Sequence, residues 1–271
     1  MQQQAKKKLN KWLKILIAIY ISCGLALYFF QEKFLFHPEP LAAEYTFQFK
    51  QPFTEIYLPV DNERNLSIVQ FTVPDSVRKG IVLYFHGNKA NIERYADNSK
   101  LFTDNSYEVW MIDYPGFGKT TGERTERVLY SDALLMYNMA KARIHSDSII
   151  IYGKSMGTGI AAQLASVRES KRLILETPYY SIDALAARFA FMYPVSWMMN
   201  FHLPTFKYIQ LVKKPVTIFH GTDDNTIPYR HAKRLMKVAP QGAELVTIEN
   251  GGHNDLPASA LFRQKLDSLL H

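Results

Sequence analysis

Ser155 sits in Gly153-Lys154-Ser155-Met156-Gly157, a G-x-S-x-G pattern directly behind the apolar run 148–152. A seryl hydroxyl is a weak nucleophile until a neighbouring base takes its proton, and that base needs an acid to hold its tautomer. The pattern means a nucleophile elbow when a strand precedes it and a helix follows. The run behind Ser155 is rich in isoleucine, and the run after it carries the small residues Gly159, Ala161 and Ala162, which suits close packing of helix on strand. The elbow forces Ser155 into a strained backbone turn, so its neighbours must lack bulk, which Gly153 and Gly157 provide. Downstream, Asp223 and Asp224 follow the strand-like run 215–219, and His253 follows the strand-like run 244–248. Each lies just past a strand end, and in a parallel sheet those ends share one edge. Glu176, at the end of the run 172–175, is an alternative acid. A serine, a carboxylate and a histidine converging there would perform acyl transfer.

Further motifs in this order resemble the α/β-hydrolases. Gly221, Asp224, Ile227 and Pro228 fit that family's G-x-x-D-x-x-[VI]-P acid loop, which favours Asp224 over Asp223. Gly251-Gly252-His253 fits its G-x-H, and Asp113-Tyr114-Pro115-Gly116-Phe117-Gly118 is similar to its D-x-x-G-x-G loop. The resemblance covers nearly everything after about residue 50. It implies a triad of Ser155, Asp224 and His253, an acyl-enzyme intermediate, and no cofactor or metal. It implies an oxyanion hole from the backbone N–H groups of Met156 and of Asn88, in the loop His86-Gly87-Asn88-Lys89. That loop departs from the H-G-G-G of lipases after Gly87, which makes Gly87 the next candidate donor.

These residues require a particular set of elements around them. Runs 54–58 and 66–71, joined by Asp61-Asn62-Glu63, read as an antiparallel pair. Later strands alternate with helical patterns at 91–102, 123–142, 158–167, 229–238 and 257–270, which predicts an α/β fold with a mostly parallel, doubly wound sheet and helices on both faces. Residues 177–213 are long for a simple crossover and rich in aromatic residues and methionine. They read either as ordinary helix packing or as a small lid walling an acyl pocket.

The net charge of +7 is concentrated at one end: Lys6, Lys7, Lys8, Lys11 and Lys14 precede the first acid, Glu32. The body is nearly neutral, which argues against a nucleic-acid partner. Behind the lysines, residues 15–30 carry no charge and, with their flanks, approach the roughly 20 residues that a membrane helix needs. The organisation expected is a basic tail at 1–14, an anchor at 15–30, a juxtamembrane segment at 31–50 and a hydrolase domain at 51–271. A cleaved signal peptide is the rival, but the run ends in aromatics with no A-x-A site. The lysine bias predicts a cytoplasmic N-terminus and a catalytic domain outside the cytoplasm, facing the periplasm or exterior of a bacterial inner membrane if the source is bacterial. Phe34, Leu35 and Phe36 are expected to dip into the interface, and the F-H-P-E stretch at 36–39 resembles a membrane-tethered α/β-hydrolase subgroup. Cys23, the single cysteine, falls in the anchor, so the body has no internal disulfide.

Other patterns carry less. Gly118-Lys119-Thr120 and Gly153-Lys154-Ser155 end like P-loops but lack the earlier glycine. Histidines are scattered without metal-ligand spacing, and His86 and His220 read as structural. The function expected is hydrolysis of esters or thioesters of apolar, lipid-like acyl groups. The alternatives are a serine oligopeptidase and a non-catalytic binding protein that keeps the fold. Oligomeric state stays open.

Overall fold

The computed structural model describes residues 2–271. Its spine is an eight-stranded sheet: β1 (Phe53–Pro59), β2 (Asn65–Phe71), β3 (Gly80–Phe85), β4 (Tyr107–Ile112), β5 (Ile149–Lys154), β6 (Arg172–Glu176), β7 (Val216–Gly221) and β8 (Glu244–Ile248). The spatial order is β8-β7-β6-β5-β3-β4-β2-β1, with β2 antiparallel to both neighbours and every other pairing parallel. Strands β3, β4 and β5 are buried at every position, as central strands covered on both faces must be. This explains their near-continuous apolar sequences. β1, at the edge, has no fully buried residue.

Side chains alternate between two apolar layers. Ile81, Leu83 and Phe85 face one core with Ile149 and Ile151. That core is covered by α2 (Glu126–Lys141) and α3 (Gly157–Val167). Val82 and Tyr84 face the other with Ile150 and Tyr152, under α5 (Ala260–Leu270), which follows the shorter α4 (Arg230–Met236). Thr125 caps α2 by accepting from Val128 N–H, which settles the start of that helix at Glu126. The strand order reverses on either side of β3, and crevices form at the carboxyl ends of strands beside such a switch point. The loop carrying Asn88 and the turn carrying Ser155 both leave the sheet there.

The first helix, α1, runs unbroken from Gln2 to Leu35 and includes the basic tail, the uncharged run and the first residues beyond it. It is long and apolar enough to cross a membrane. The segment after it belongs to the body. Phe36 is in the core, edge-on to Phe201 at 4.8 Å between centroids, with the Arg124 guanidinium 4.3 Å over its ring. Phe47 is buried in the opposite core. Packing therefore begins ahead of the boundary expected at 51. Phe36 does not dip into an interface: its ring is worth more in the core than at a membrane surface, whereas Phe34 stays exposed.

Candidate active site

Ser155 is reached through the turn after β5, and its φ is +52°, a left-handed value that costs a non-glycine residue about 1–3 kcal/mol. The surroundings over-determine it. Ser155 N–H donates to Glu176 O at 2.9 Å, and Thr158 N–H donates back to Ser155 O at 3.0 Å. A Cβ on Gly157 would lie 2.1 Å from Phe85 O, and one on Gly153 would lie 2.7 Å from Gly157 O. The two glycines let α3 start against the end of β3, which brings the seryl oxygen to the sheet edge.

His253 reaches that edge from the loop after β8. Its Nε2 is 2.9 Å from Ser155 Oγ and its Nδ1 is 2.7 Å from Asp224 Oδ2. Asp224 is buried, and its other oxygen accepts from the N–H groups of Thr226 at 2.9 Å and Ile227 at 2.8 Å. Burial pushes the Asp224 carboxyl up. Hydrogen bonds from His220 and His253, the charge of His253 and the Ile227 N–H outweigh it, and the group is held well below the usual carboxylate range. Asp223 points elsewhere, with only Thr222 Oγ1 at 3.3 Å. The acid loop is fastened to the base loop, because Asp223 N–H donates to Gly251 O at 3.0 Å. Glu176 is engaged in a buried group with Lys154 Nζ and Tyr152 Oη, so its carboxylate is already partnered.

Met156 and Asn88 line one cavity with Ser155. The Asn88 loop is close to Ser155, since a Cβ on Gly87 would lie 3.6 Å from Ser155 Cβ. The Met156 N–H opens α3, where unpaired N–H groups and the helix dipole favour negative charge. The Asn88 side chain is engaged elsewhere. Its Nδ2 donates to Leu35 O at 2.6 Å, while His37 N–H donates to Asn88 O at 2.9 Å. The end of α1 is thus tied directly to the candidate oxyanion loop.

The cavity measures about 610 Å³. The buried Ser155, Met156 and Tyr179 line it. One wall is the lid candidate, with Leu185, Phe189, Tyr193 and Met198, and the other is α1, with Leu27, Gln31 and Phe34. No aspartate or glutamate lines it. Residues 177–213 form three short helices, Ile182–Ala186, Val195–Met198 and Thr205–Ile209. The last of these packs against α3, while the segment before it leaves large apolar side chains exposed. The segment thus joins a packed helix to a stretch that lines the cavity and leaves apolar side chains exposed.

Two elements have a part in the site that the sequence did not assign them. His220 lies beneath Asp224, its Nε2 2.8 Å from Ile227 O and 3.4 Å from Asp224 Oδ2. It is structural as expected, but the structure it holds is the acid loop. The second is α1 as a pocket wall, which Gly24 inside an apolar run could have signalled as a point of close approach. His86 is also structural, buried 3.2 Å from Asp113, whose carboxyl is pushed up by burial against the opposing pull of His86. Among the described residues, no group of three or more His, Cys, Asp or Glu side chains could hold a metal ion.

An eight-stranded sheet with β2 reversed, an elbow after β5, and acid and base loops after β7 and β8 define an α/β-hydrolase. A family model described as "Serine aminopeptidase, S33" matches residues 76–214, just over half of the chain, and the chain belongs to that family. Relatives carry α/β-hydrolase domain names. The Caenorhabditis elegans α/β-hydrolase domain-containing protein aho-3 is 30% identical over 164 residues, 60% of this chain and 48% of that protein. The Xenopus tropicalis α/β-hydrolase domain-containing protein 17C is 29% identical over 192 residues, 70% of this chain and 61% of that protein. The chain thus spans about half to three fifths of the length of these relatives. Among solved structures, an esterase from Pyrococcus furiosus superposes with a TM-score of 0.64 at 16% identity, covering 87% of this chain and 96% of the esterase. A cold-adapted esterase from an Arctic intertidal metagenomic library superposes at 0.62 and 17% identity, covering 85% and 97%. At such identities these two show the shared fold.

Proposed function

We propose that this hydrolase is a membrane-anchored serine esterase or thioesterase acting on apolar acyl groups. The carrying observation is the hydrogen-bonded series Ser155 Oγ, His253 and Asp224 at the end of a cavity walled almost wholly by apolar side chains. Ser155 Oγ attacks the acyl carbonyl carbon while His253 Nε2 takes its proton. The Met156 and Asn88 N–H groups face the oxyanion that forms. Collapse of the tetrahedral intermediate expels an alkoxide or thiolate, which receives the proton from His253. Water then attacks the acyl-enzyme carbonyl and gives a proton to His253; the bond to Ser155 Oγ breaks, that oxygen takes the proton back from His253, and the acid leaves. Asp224 stays ionised throughout and holds Nδ1–H.

The aminopeptidase form of the peptidase reading, the one the family description names, is weaker for a physical reason. An aminopeptidase must bind a substrate ammonium, and burying that charge without a carboxylate is costly. The cavity offers none. In the anchored arrangement, the N-terminal lysines remain cytoplasmic, the run 15–30 spans the bilayer, and the body lies on the far side. The test is a chain-length series of 4-methylumbelliferyl esters beside aminoacyl and peptidyl amides of the same fluorophore, with fluorophosphonate labelling of Ser155. Rates rising with acyl length support the reading. Labelling with turnover of amides alone would replace it by the peptidase, and neither labelling nor turnover would leave a binding protein.

A further inference from the structure

Residues 184–199 contain one charged side chain, Arg188, whose Nη1 turns back to the body and donates to Asn225 O at 3.3 Å. Phe189, Phe191, Met192 and Trp197 project outward and are 77%, 78%, 63% and 89% exposed. Four large apolar side chains exposed on one short segment mark a site of interaction with a membrane or another molecule.

The contacts of the same segment show where that surface lies. The Tyr193 ring stacks on Tyr20 of α1 at 4.5 Å, with an interplanar angle of 10°. Tyr193 Oη donates to Tyr20 O at 2.9 Å, and Tyr20 Oη donates to Met192 O at 2.8 Å. The ring also covers Gly24, where a Cβ would approach it to 2.9 Å. Nearer the body, the buried Gln31 side chain donates to Met198 O at 3.0 Å and accepts from Asn200 N–H at 2.6 Å. Two clasps thus hold the segment lengthwise along α1. Tyr20 precedes Phe30, the last residue of the uncharged run, by ten positions, and a rise of 1.5 Å per residue makes that about 15 Å. That is about half the thickness of a bilayer's hydrocarbon core.

We propose that residues 184–199 form a wedge inserted beside α1 into one leaflet of the bilayer, and that the cavity between them receives the acyl chain of its substrate laterally from that leaflet. The inference rests on the anchored-hydrolase reading above and adds the route and the substrate's location. Irregular backbone is tolerated at membrane depth only where its polar groups find protein partners. The Tyr20 hydroxyl on the Met192 carbonyl and the Gln31 amide on Met198 and Asn200 supply such partners. Leu27 and Tyr193, half-buried beside the clasps, line the same cavity as the buried Ser155. An amphiphile with an ester or thioester at the bilayer surface would therefore keep its chain in apolar surroundings while its carbonyl meets the serine.

The test uses the full chain in phosphatidylcholine vesicles. The tryptophans are Trp12, Trp110 and Trp197, and Trp110 is buried in the core. In Trp12→Phe, bromine on the lipid acyl chains should quench Trp197 emission, and aqueous iodide should not. Trp197 emission that iodide quenches and brominated chains leave unchanged would overturn the wedge. In Trp197→Phe, brominated lipid should quench Trp12; if it does not, the anchor reading falls and the wedge with it. Phe191→Asp combined with Trp197→Asp should slow hydrolysis of vesicle-borne 4-methylumbelliferyl palmitate by about tenfold and leave soluble 4-methylumbelliferyl butyrate within about twofold. Equal losses on both esters, or none on either, would overturn lateral entry. Hydrolysis surviving in Ser155→Ala would instead overturn the active-site assignment.

Discussion

Ser155, His253 and Asp224 meet in the space of two hydrogen bonds, yet each is held by different means: a strained turn, a loop from β8, and a carboxylate saturated by backbone N–H groups. Ser155→Ala should abolish fluorophosphonate labelling and lower turnover by on the order of 10⁶, leaving the thermal unfolding midpoint near that of the parent. Asp224→Asn should lower turnover by on the order of 10⁴ by releasing the imidazole tautomer, while Asp223→Asn stays within about twofold. Steady-state kinetics of the two variants on one ester settles the comparison. A depressed carboxyl contributes stability above its unfolded value of 3.8 and loses it as pH falls through the folded value, so Asp224 resists mild acid. His231 acts in the opposite sense. Burial, then the charges of Arg230 and Arg234, lower it from 6.5 to about 4. Between those values the unfolded chain binds a proton that the fold refuses, and stability falls as pH falls. His231 Nδ1 accepts from Tyr180 N–H at 3.2 Å, a bond that glutamine can replace. His231→Gln should therefore keep more of its pH 7 stability at pH 5 than the parent, as read from denaturant midpoints at the two pH values.

At the scale of elements, the elbow depends on how closely α3 approaches β3. Gly157→Ala would push a methyl group into the Phe85 carbonyl, and backbone cannot give way as a flexible side chain can. A destabilisation of about 3 kcal/mol is expected, measured by thermal unfolding of the detergent-solubilised chain. The link between α1 and the loop after β3 is subtler. Asn88→Ala keeps the backbone N–H proposed for the oxyanion but removes the donor to Leu35 O. It should cost about 1 kcal/mol of stability and lower kcat by roughly tenfold through a loosened loop, with KM little changed. A fall in stability with kcat intact would separate the tether from catalysis.

For the whole molecule, α1 serves at once as the proposed anchor and as a wall of the cavity, with Glu32 paired to Arg124 at 3.2 Å and Phe36 set in the core at its end. The body is therefore held against the proposed bilayer by packing, and the chain from Leu35 onward leaves little slack. Protease added to spheroplasts should digest the body, and alkaline carbonate should fail to extract the chain. Protection until lysis would reverse the orientation, and extraction of a shortened chain would indicate cleavage in place of anchoring.

The class of fold and the hydrolase family were legible in one dimension because they depend on local patterns: β-branched runs for buried strands, glycines around a serine, and turn chemistry after each strand. The resemblance of Gly221, Ile227 and Pro228 to the family's acid loop pointed to Asp224, and it is the Asp224 carboxylate that lies 2.7 Å from His253 Nδ1. The uncharged run behind five lysines was equally plain. Only the tertiary structure decided what pairs across long separations. Gln31 with Met198, Tyr20 with Tyr193, Leu35 with Asn88 and His220 beneath Asp224 leave no periodic trace, because each is a contact between elements that pack for other reasons. Phe36 shows the same limit. An aromatic residue beside an apolar helix suits an interface or a core equally well, and the choice fell to the space between Phe117, Phe201 and Arg124 that folding left for it.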